Sequence, residues 1–202
     1  MIGGIKMAKL YFRYGVMGSS KSAQALITKF NYEEQGMRVW LIKPAADTRD
    51  GEGIVHSRIG LEQTADAITE DMDLFRIFRD REQEFYDVII VDEAQFLLPK
   101  HVEQLRDVVD HYNVPVFCFG LRTDFRTKLF AGSARLFELA DSITELKTVC
   151  ACGGKAMVNA RLDAEGNVLT EGEQFLLGGN DSYRPMCYKC WKKAQEKEEG
   201  NA

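Results

Sequence analysis

The chain has 202 residues, 45% hydrophobic and 28% charged, enough for one sizeable core and a small appendage. Its formal net charge of −5 argues against a nucleic-acid partner, because binding that backbone needs clustered Lys and Arg to displace counterions. No apolar run approaches the roughly 20 residues of a membrane helix, and the start "MIGGIKMAKLYF" lacks the long apolar segment and cleavage site of a signal peptide, so we expect a cytoplasmic protein with no membrane partner.

In chain order, "AKLYFRYG" (Ala8 to Gly15) is the first predicted strand and "SAQALITKFNYEEQG" (Ser22 to Gly36) a helix with Gly36 just beyond its end. The runs "MRVWLIKP", "YDVIIVDE" and "VPVFCFG" are mostly apolar and often β-branched, as strands buried on both faces are. Between the last two, Val102, Leu105, Val108, Val109 and Tyr112 recur at helical spacing in "HVEQLRDVVDHY", a covering helix. This alternation, from about residue 8 to 147, predicts an α/β fold with a parallel sheet flanked by helices. After "LFELADSITELKT" the chain becomes Gly-rich. There "RLDAEGNVLTEG" reads as a hairpin, "LLGGNDSY" as an irregular loop, and "WKKAQEKEEGNA" as a charged helix end that frays. The expected organisation is 8–148, 149–191 and a flexible tail, 192–202, with Met1 and Met7 both candidate starts.

The stretch "YGVMGSSKSA" lies between a strand and a helix and departs from the pattern Gly-x4-Gly-Lys-Ser/Thr at one position. Gly15, Val16, Met17, Gly18, Ser19, Lys21 and Ser22 would cradle phosphates with backbone N–H groups, a lysine charge and a hydroxyl directed to Mg2+. Ser20 stands where the pattern has Gly; if positive φ is needed there, Ser costs about 1 kcal/mol. The alternative is an ordinary turn whose serines cap the next helix. The run "VIIVDEAQF" ends a buried strand in Asp92 and Glu93, where doubly wound folds bind ligands. One acid there can organise Mg2+ while its neighbour takes a proton. The pair Cys150-x-Cys152, followed by Cys187-x2-Cys190, fits a tetrahedral, structural Zn2+, with Gly153 and Gly154 making the turn after the tighter pair. Cys118 reads as an inert buried residue. His56, His101 and His111 fall in a loop and a covering helix, in solvated or structural roles.

Taken in order, "GVMGSSKS", "DTRDG", "VDEAQF", "GLRTDF", the four cysteines and "GGNDSY" resemble the type II thymidine kinase family, from about residue 8 to 191. The resemblance implies a P-loop domain with a small zinc-binding lasso domain and an ATP:thymidine 5'-phosphotransferase of nucleotide salvage. It makes Glu93 the catalytic base. It puts Arg49, Asp92 and Gln95 with the phosphate loop as the ATP and Mg2+ residues. Met17, Phe96, Leu121, Leu177, Gly178, Gly179 and Tyr183 match the thymidine site, although Met17, Phe96 and Leu121 read as core residues by themselves. Phe125 stays open between core and pocket, and Asn159 stands where some members have Thr near the base. The resemblance also implies a homotetramer and feedback inhibition by dTTP. Two alternatives remain at this point: a non-catalytic nucleotide-binding protein impaired by Ser20, and a zinc-ribbon nucleic-acid binder.

Overall fold

The computed structural model describes residues 7–47, 51, 53–81, 85–174 and 182–199, with the side chains of 197–199 outside that set. Six strands form one parallel sheet: β1 (Leu10–Tyr14), β2 (Val39–Pro44), β5 (Asp66–Ile68), β6 (Val88–Val91), β7 (Val116–Gly120) and β8 (Ser142–Glu145). Their order is β5-β2-β6-β7-β1-β8, with β1 between β7 and β8 in parallel register. The expected strands are present, β1 and β6 shorter at both ends and β2 and β7 at their start. A short antiparallel hairpin of β3 (Ile54–His56) and β4 (Glu62–Thr64) stands apart from the sheet.

Alternation within the strands explains why they read as continuously apolar. Ile89 and Val91 of β6 join Leu10, Phe12, Trp40 and Ile42 in one core, which also holds Leu74 and Phe78 of α2 (Leu74–Asp80), Val102, Leu105, Val108 and Val109 of α3 (Pro99–Tyr112), and Leu136 of α4 (Ala131–Leu139). Val88 and Ile90 face the opposite way with Leu41, Phe117 and Phe119, against Ala25 and Leu26 of α1 (Lys21–Glu33). Helices on both faces leave the strand termini as the place where ligands can reach the sheet. At one such terminus the buried Lys43 and Asp47 form an ion pair at 3.0 Å, and Lys43 Nζ also donates to the Ile54 carbonyl at 2.9 Å. This ties the end of β2 to the hairpin.

The last third of the described chain carries its own small sheet, antiparallel β9 (Val158–Arg161) and β10 (Tyr183–Met186), beside α5 (Tyr188–Glu199). Its core is small: Val158, Ala160, Val168 and Trp191. The expected turn in "RLDAEGNVLTEG" forms, with Gly166 N–H donating to Asp163 and a Leu162–Val168 bridge closing it.

Candidate active site

β1 delivers the chain into the phosphate loop, and α1 leaves it at Lys21. Gly15 is packed so closely that an added Cβ would lie 2.3 Å from Ser19 Oγ and 2.5 Å from the Leu146 carbonyl. Gly18 has φ of +76°. Ser20 has φ 61° and ψ 29°, the left-handed conformation that the Gly of the pattern would adopt without strain. Its side chain makes no capping hydrogen bond, so the reading of these serines as simple helix caps finds no support at this residue. The loop therefore keeps the cradle's backbone shape with a Ser in it, at a strain of about 1 to 2 kcal/mol.

Lys21 is buried, with Nζ donating to the Val16 carbonyl at 3.0 Å, so its charge is folded back over the loop. The first-turn amides of α1 point out of the helix N-terminus, as those of any helix do, and favour an anion there. Ser19 Oγ is buried with no hydrogen-bond partner among the described residues.

Across the sheet, β6 ends in Asp92 and Glu93. Asp92 is buried, with one carboxylate oxygen, Oδ1, unpartnered among the described residues. Burial and the adjacent Glu93 charge push its carboxyl up to about 7, against a hydrogen bond from Ser22 and the nearby Lys21 charge. A cation held between Ser22 and Asp92 would satisfy the orphaned oxygen and relieve that burden, so this pair fits Mg2+. Glu93 sits at φ 49°, a left-handed kink that turns its side chain out of the strand line into the cleft. Strained backbone at a strand end with a carboxylate on it is the kind of outlier found at reaction centres.

Gln95 holds that carboxylate. Its Nε2 donates to Glu93 Oε2 while its Oε1 accepts the Leu121 N–H at 2.9 Å, joining the end of β6 to the end of β7. Gly120 makes room, because a Cβ there would come within 2.9 Å of Gln95 Oε1.

These parts meet in a cleft of about 180 Å³. Met17, Gly18, Ser20, Lys21, Ser22, Glu93 and Leu121 line it, so seven of the expected residues come together. Its other wall is the tip of the β3–β4 hairpin, His56 to Ile59, which the sequence reading did not place there. His56 was expected in a loop and instead belongs to β3. Arg58 adds a cationic side chain opposite the phosphate loop. The hairpin's spacing to the loop is set by the tertiary fold alone, and only the shared basic character of His56 and Arg58 could have hinted at it.

Other expected residues lie elsewhere. Phe96 packs edge-on against Phe130, with ring centroids 5.6 Å apart, and is absent from the cleft lining. Tyr183 stands on β10 with its hydroxyl against Arg161. Arg49, Leu177, Gly178 and Gly179 lie outside the described residues. Asn159 is buried; it accepts the Met17 N–H at 2.7 Å and donates to the Thr123 carbonyl at 3.2 Å, which ties β9 to the phosphate loop. His101 is buried in α3, where desolvation lowers its pKa, and His111 bonds the Asp107 carbonyl. Cys118 is buried mid-strand, its thiol pushed above the usual range by burial alone.

The four remaining cysteines converge with their Sγ atoms all within 4.8 Å of one another. Cys152 and Cys187 Sγ are 3.7 Å apart, close to the ~3.8 Å edge of a tetrahedron whose metal–sulfur bonds are ~2.3 Å. Gly153, at φ +84°, donates to the Cys150 carbonyl, making the turn expected after the tight pair. The amides of Cys152 and Cys187 pull the Cys150 thiol down, while hydrogen bonds with the Cys187 and Cys152 thiols push Cys190 up, so without a cation the clustered thiols share charge unevenly. The donor set fits Zn2+ with no open position.

The family model described as "Thymidine kinase" matches residues 8–191. The thymidine kinase of Enterobacteria phage T4 is 48% identical over 192 residues, covering 95% of this chain and 99% of the phage protein. That of Ruegeria pomeroyi is 47% identical, covering 93% and 96%. Among solved structures, Pif1 helicase from Candida albicans aligns with a TM-score of 0.40 at 15% identity, over 69% of this chain and 36% of its own, too low a likeness to bear on function. With a matched model over nearly its whole length and full-length relatives at nearly half identity, the chain belongs to the thymidine kinase family.

Proposed function

We propose that the protein transfers the γ-phosphoryl group of ATP to the 5'-hydroxyl of thymidine. The observation that carries this reading is the full-length match to proteins named thymidine kinase. The cleft is chemically suited to it, with an anion cradle and a turned-out carboxylate lining one cavity. Phosphoryl transfer asks a protein chiefly for positioning and charge neutralisation.

In this account Glu93 accepts the proton of the attacking hydroxyl, and Gln95 fixes the carboxylate against the Leu121 backbone. Lys21 and the loop amides of Gly15 to Ser22 bind the triphosphate, with Arg58 and Arg49 contributing further positive charge. Ser22 and Asp92 would hold Mg2+, which neutralises phosphate charge when bound. Met17 and Leu121 face the cleft and would contact the nucleoside, together with Phe96, Leu177, Gly178, Gly179 and Tyr183. The cysteines hold structural Zn2+. We further propose the division 8–148, 149–191 and 192–202, a homotetramer, cytoplasmic localisation and feedback inhibition by dTTP. Among the described residues no helix is long and apolar enough to cross a membrane.

The test is a panel of nucleosides offered with Mg-ATP to the zinc-loaded protein, with products identified by mass. Formation of dTMP, with ribonucleosides left untouched, supports the reading; ATP binding with no nucleoside phosphorylated contradicts it and favours a nucleotide-binding protein without turnover.

A further inference from the structure

Helix α4 begins with residues that form helices poorly. Gly132 and Ser133, in its first turn, are both less favourable in a helix than Ala, yet both are buried, Ser133 completely. Each is explained by what it touches. A Cβ on Gly132 would lie 2.5 Å from the Leu97 carbonyl oxygen, 2.8 Å from that of Ala94 and 3.0 Å from that of Gln95. The start of α4 is therefore seated on the backbone of the turn that follows Glu93, and Phe130, immediately before the helix, packs edge-on against Phe96 of that turn. A buried hydroxyl is costly unless it finds a partner, and Ser133 finds one outside its own helix: Oγ donates to the Leu121 carbonyl at 2.6 Å.

Leu121 directly follows β7 and lines the cleft. Side chains hold both polar groups of its backbone. Ser133 takes the carbonyl, and the buried Gln95 takes the N–H at 2.9 Å through Oε1. Gln95 Nε2 in turn donates to Glu93 Oε2. One chain of hydrogen bonds thus runs from α4 through Leu121 and Gln95 to the carboxylate in the cleft. An Ala at 133 would fit the same space and favour the helix, but would take this donor from the Leu121 carbonyl.

We propose that Ser133 is a positioning residue for nucleoside binding: its hydroxyl fixes the Leu121 carbonyl while Gln95 fixes the Leu121 amide, so that the Leu121 side chain and the Glu93 carboxylate meet the nucleoside in a set relation. Ser133 is absent from the cleft lining, so it acts through Leu121. Groups already held by their partners need little ordering when substrate arrives, and small displacements of them cost rate. The phosphate loop is held between β1 and α1 instead, so loss of the Ser133 hydroxyl acts on the nucleoside and spares ATP. This rests on the reading of the cleft as a thymidine site.

The experiment compares wild type, Ser133→Ala, Ser133→Cys, Gln95→Leu and the double variant Ser133→Ala with Gln95→Leu, as full-length, zinc-loaded proteins. We expect Ser133→Ala to raise the thymidine KM about fivefold and lower kcat about twofold, with the ATP KM within about twofold of wild type. Ser133→Cys keeps the volume with a weaker donor and should fall between. In the Gln95→Leu background, where Leu121 has already lost one hold, Ser133→Ala should cost less than about twofold further in kcat/KM for thymidine. Amide exchange in a peptide covering 119–123 should quicken in Ser133→Ala. An unchanged thymidine KM, ATP and thymidine parameters that worsen in parallel, or a Ser133→Ala loss as large with Gln95→Leu as without it overturns the proposal. Should Ser133→Ala fail to fold, the same criteria applied to Ser133→Cys decide. A wild type that phosphorylates no thymidine refutes the function reading and the nucleoside role together, while quickened exchange in 119–123 would still show that Ser133 holds Leu121.

Discussion

The two ends of the molecule hold their functional groups by different means. The phosphate loop and the Asp92–Glu93 strand end are anchored by β1 and β6, whose Leu10, Phe12, Ile89 and Val91 are fully buried in a large apolar core. Among the described residues, the cysteine-bearing end has a core cluster of four buried apolar residues and brings four Sγ atoms within 4.8 Å. Rigid hydrophobic packing can carry strain, and the first site shows it: Ser20 and Glu93 both sit at positive φ. The second site has little apolar core among the described residues, so a metal held by its four cysteines would contribute folding energy there.

The largest effect is expected at Glu93. Replacing it with Gln should lower turnover about a thousandfold or more if it is the base, with thermal stability and zinc content unchanged, since nothing in the core is disturbed. Turnover near that of wild type would remove the assigned base.

Metal removal attacks the other end. A strong chelator, or Cys187→Ser, should unfold the β9–β10 module and abolish thymidine turnover. ATP binding, read by fluorescent-nucleotide titration, should weaken only modestly, because the loop is built on the main sheet. Equal loss of both ligands would mean that the two ends are not energetically separable. The bond between Asn159 and the Met17 amide is the route by which some ATP affinity would be lost.

Gln95→Leu should leave the Glu93 carboxylate and the Leu121 amide without their shared partner. We expect kcat to fall about tenfold to a hundredfold while the ATP KM holds, measured by steady-state kinetics. The smallest effect belongs to Ser20→Gly, which relieves left-handed strain but adds unfolded-state freedom. Stability should rise by up to about 1 kcal/mol in thermal or urea unfolding, with ATP affinity or rate improved. A loss of stability would show that the loop has adapted to Ser.

Much of this was legible in the sequence for a physical reason. The main strands are buried on both faces and so announce themselves as apolar runs, and "GVMGSSKS" and the cysteine pairs work through short spacings within one turn. The strain expected at Ser20 depended only on the local pattern, and its φ of 61° agrees. What escaped was set by tertiary contact. β4 is three exposed polar residues, Glu62–Thr64, with no periodicity to read, and its hairpin matters because its tip lies against the phosphate loop. Nothing local in "VNARLD" marks Asn159 and Arg161 as buried, yet both are, with partners that the fold brings to them: the Met17 amide for Asn159 and the Glu173 carbonyl for Arg161. Phe125, open between core and pocket in the sequence, is buried with the Arg161 guanidinium carbon 3.9 Å from its ring centroid.

In the proposed reaction one cleft would join an anion cradle to a general base, Glu93, acting on a nucleoside hydroxyl. Its most direct test is thymidine-dependent ADP release by the zinc-loaded protein with Mg-ATP, measured beside Glu93→Gln. Release should require thymidine and vanish in the variant; ADP release indifferent to thymidine, or undiminished in Glu93→Gln, would rule out this role for the cleft and for Glu93.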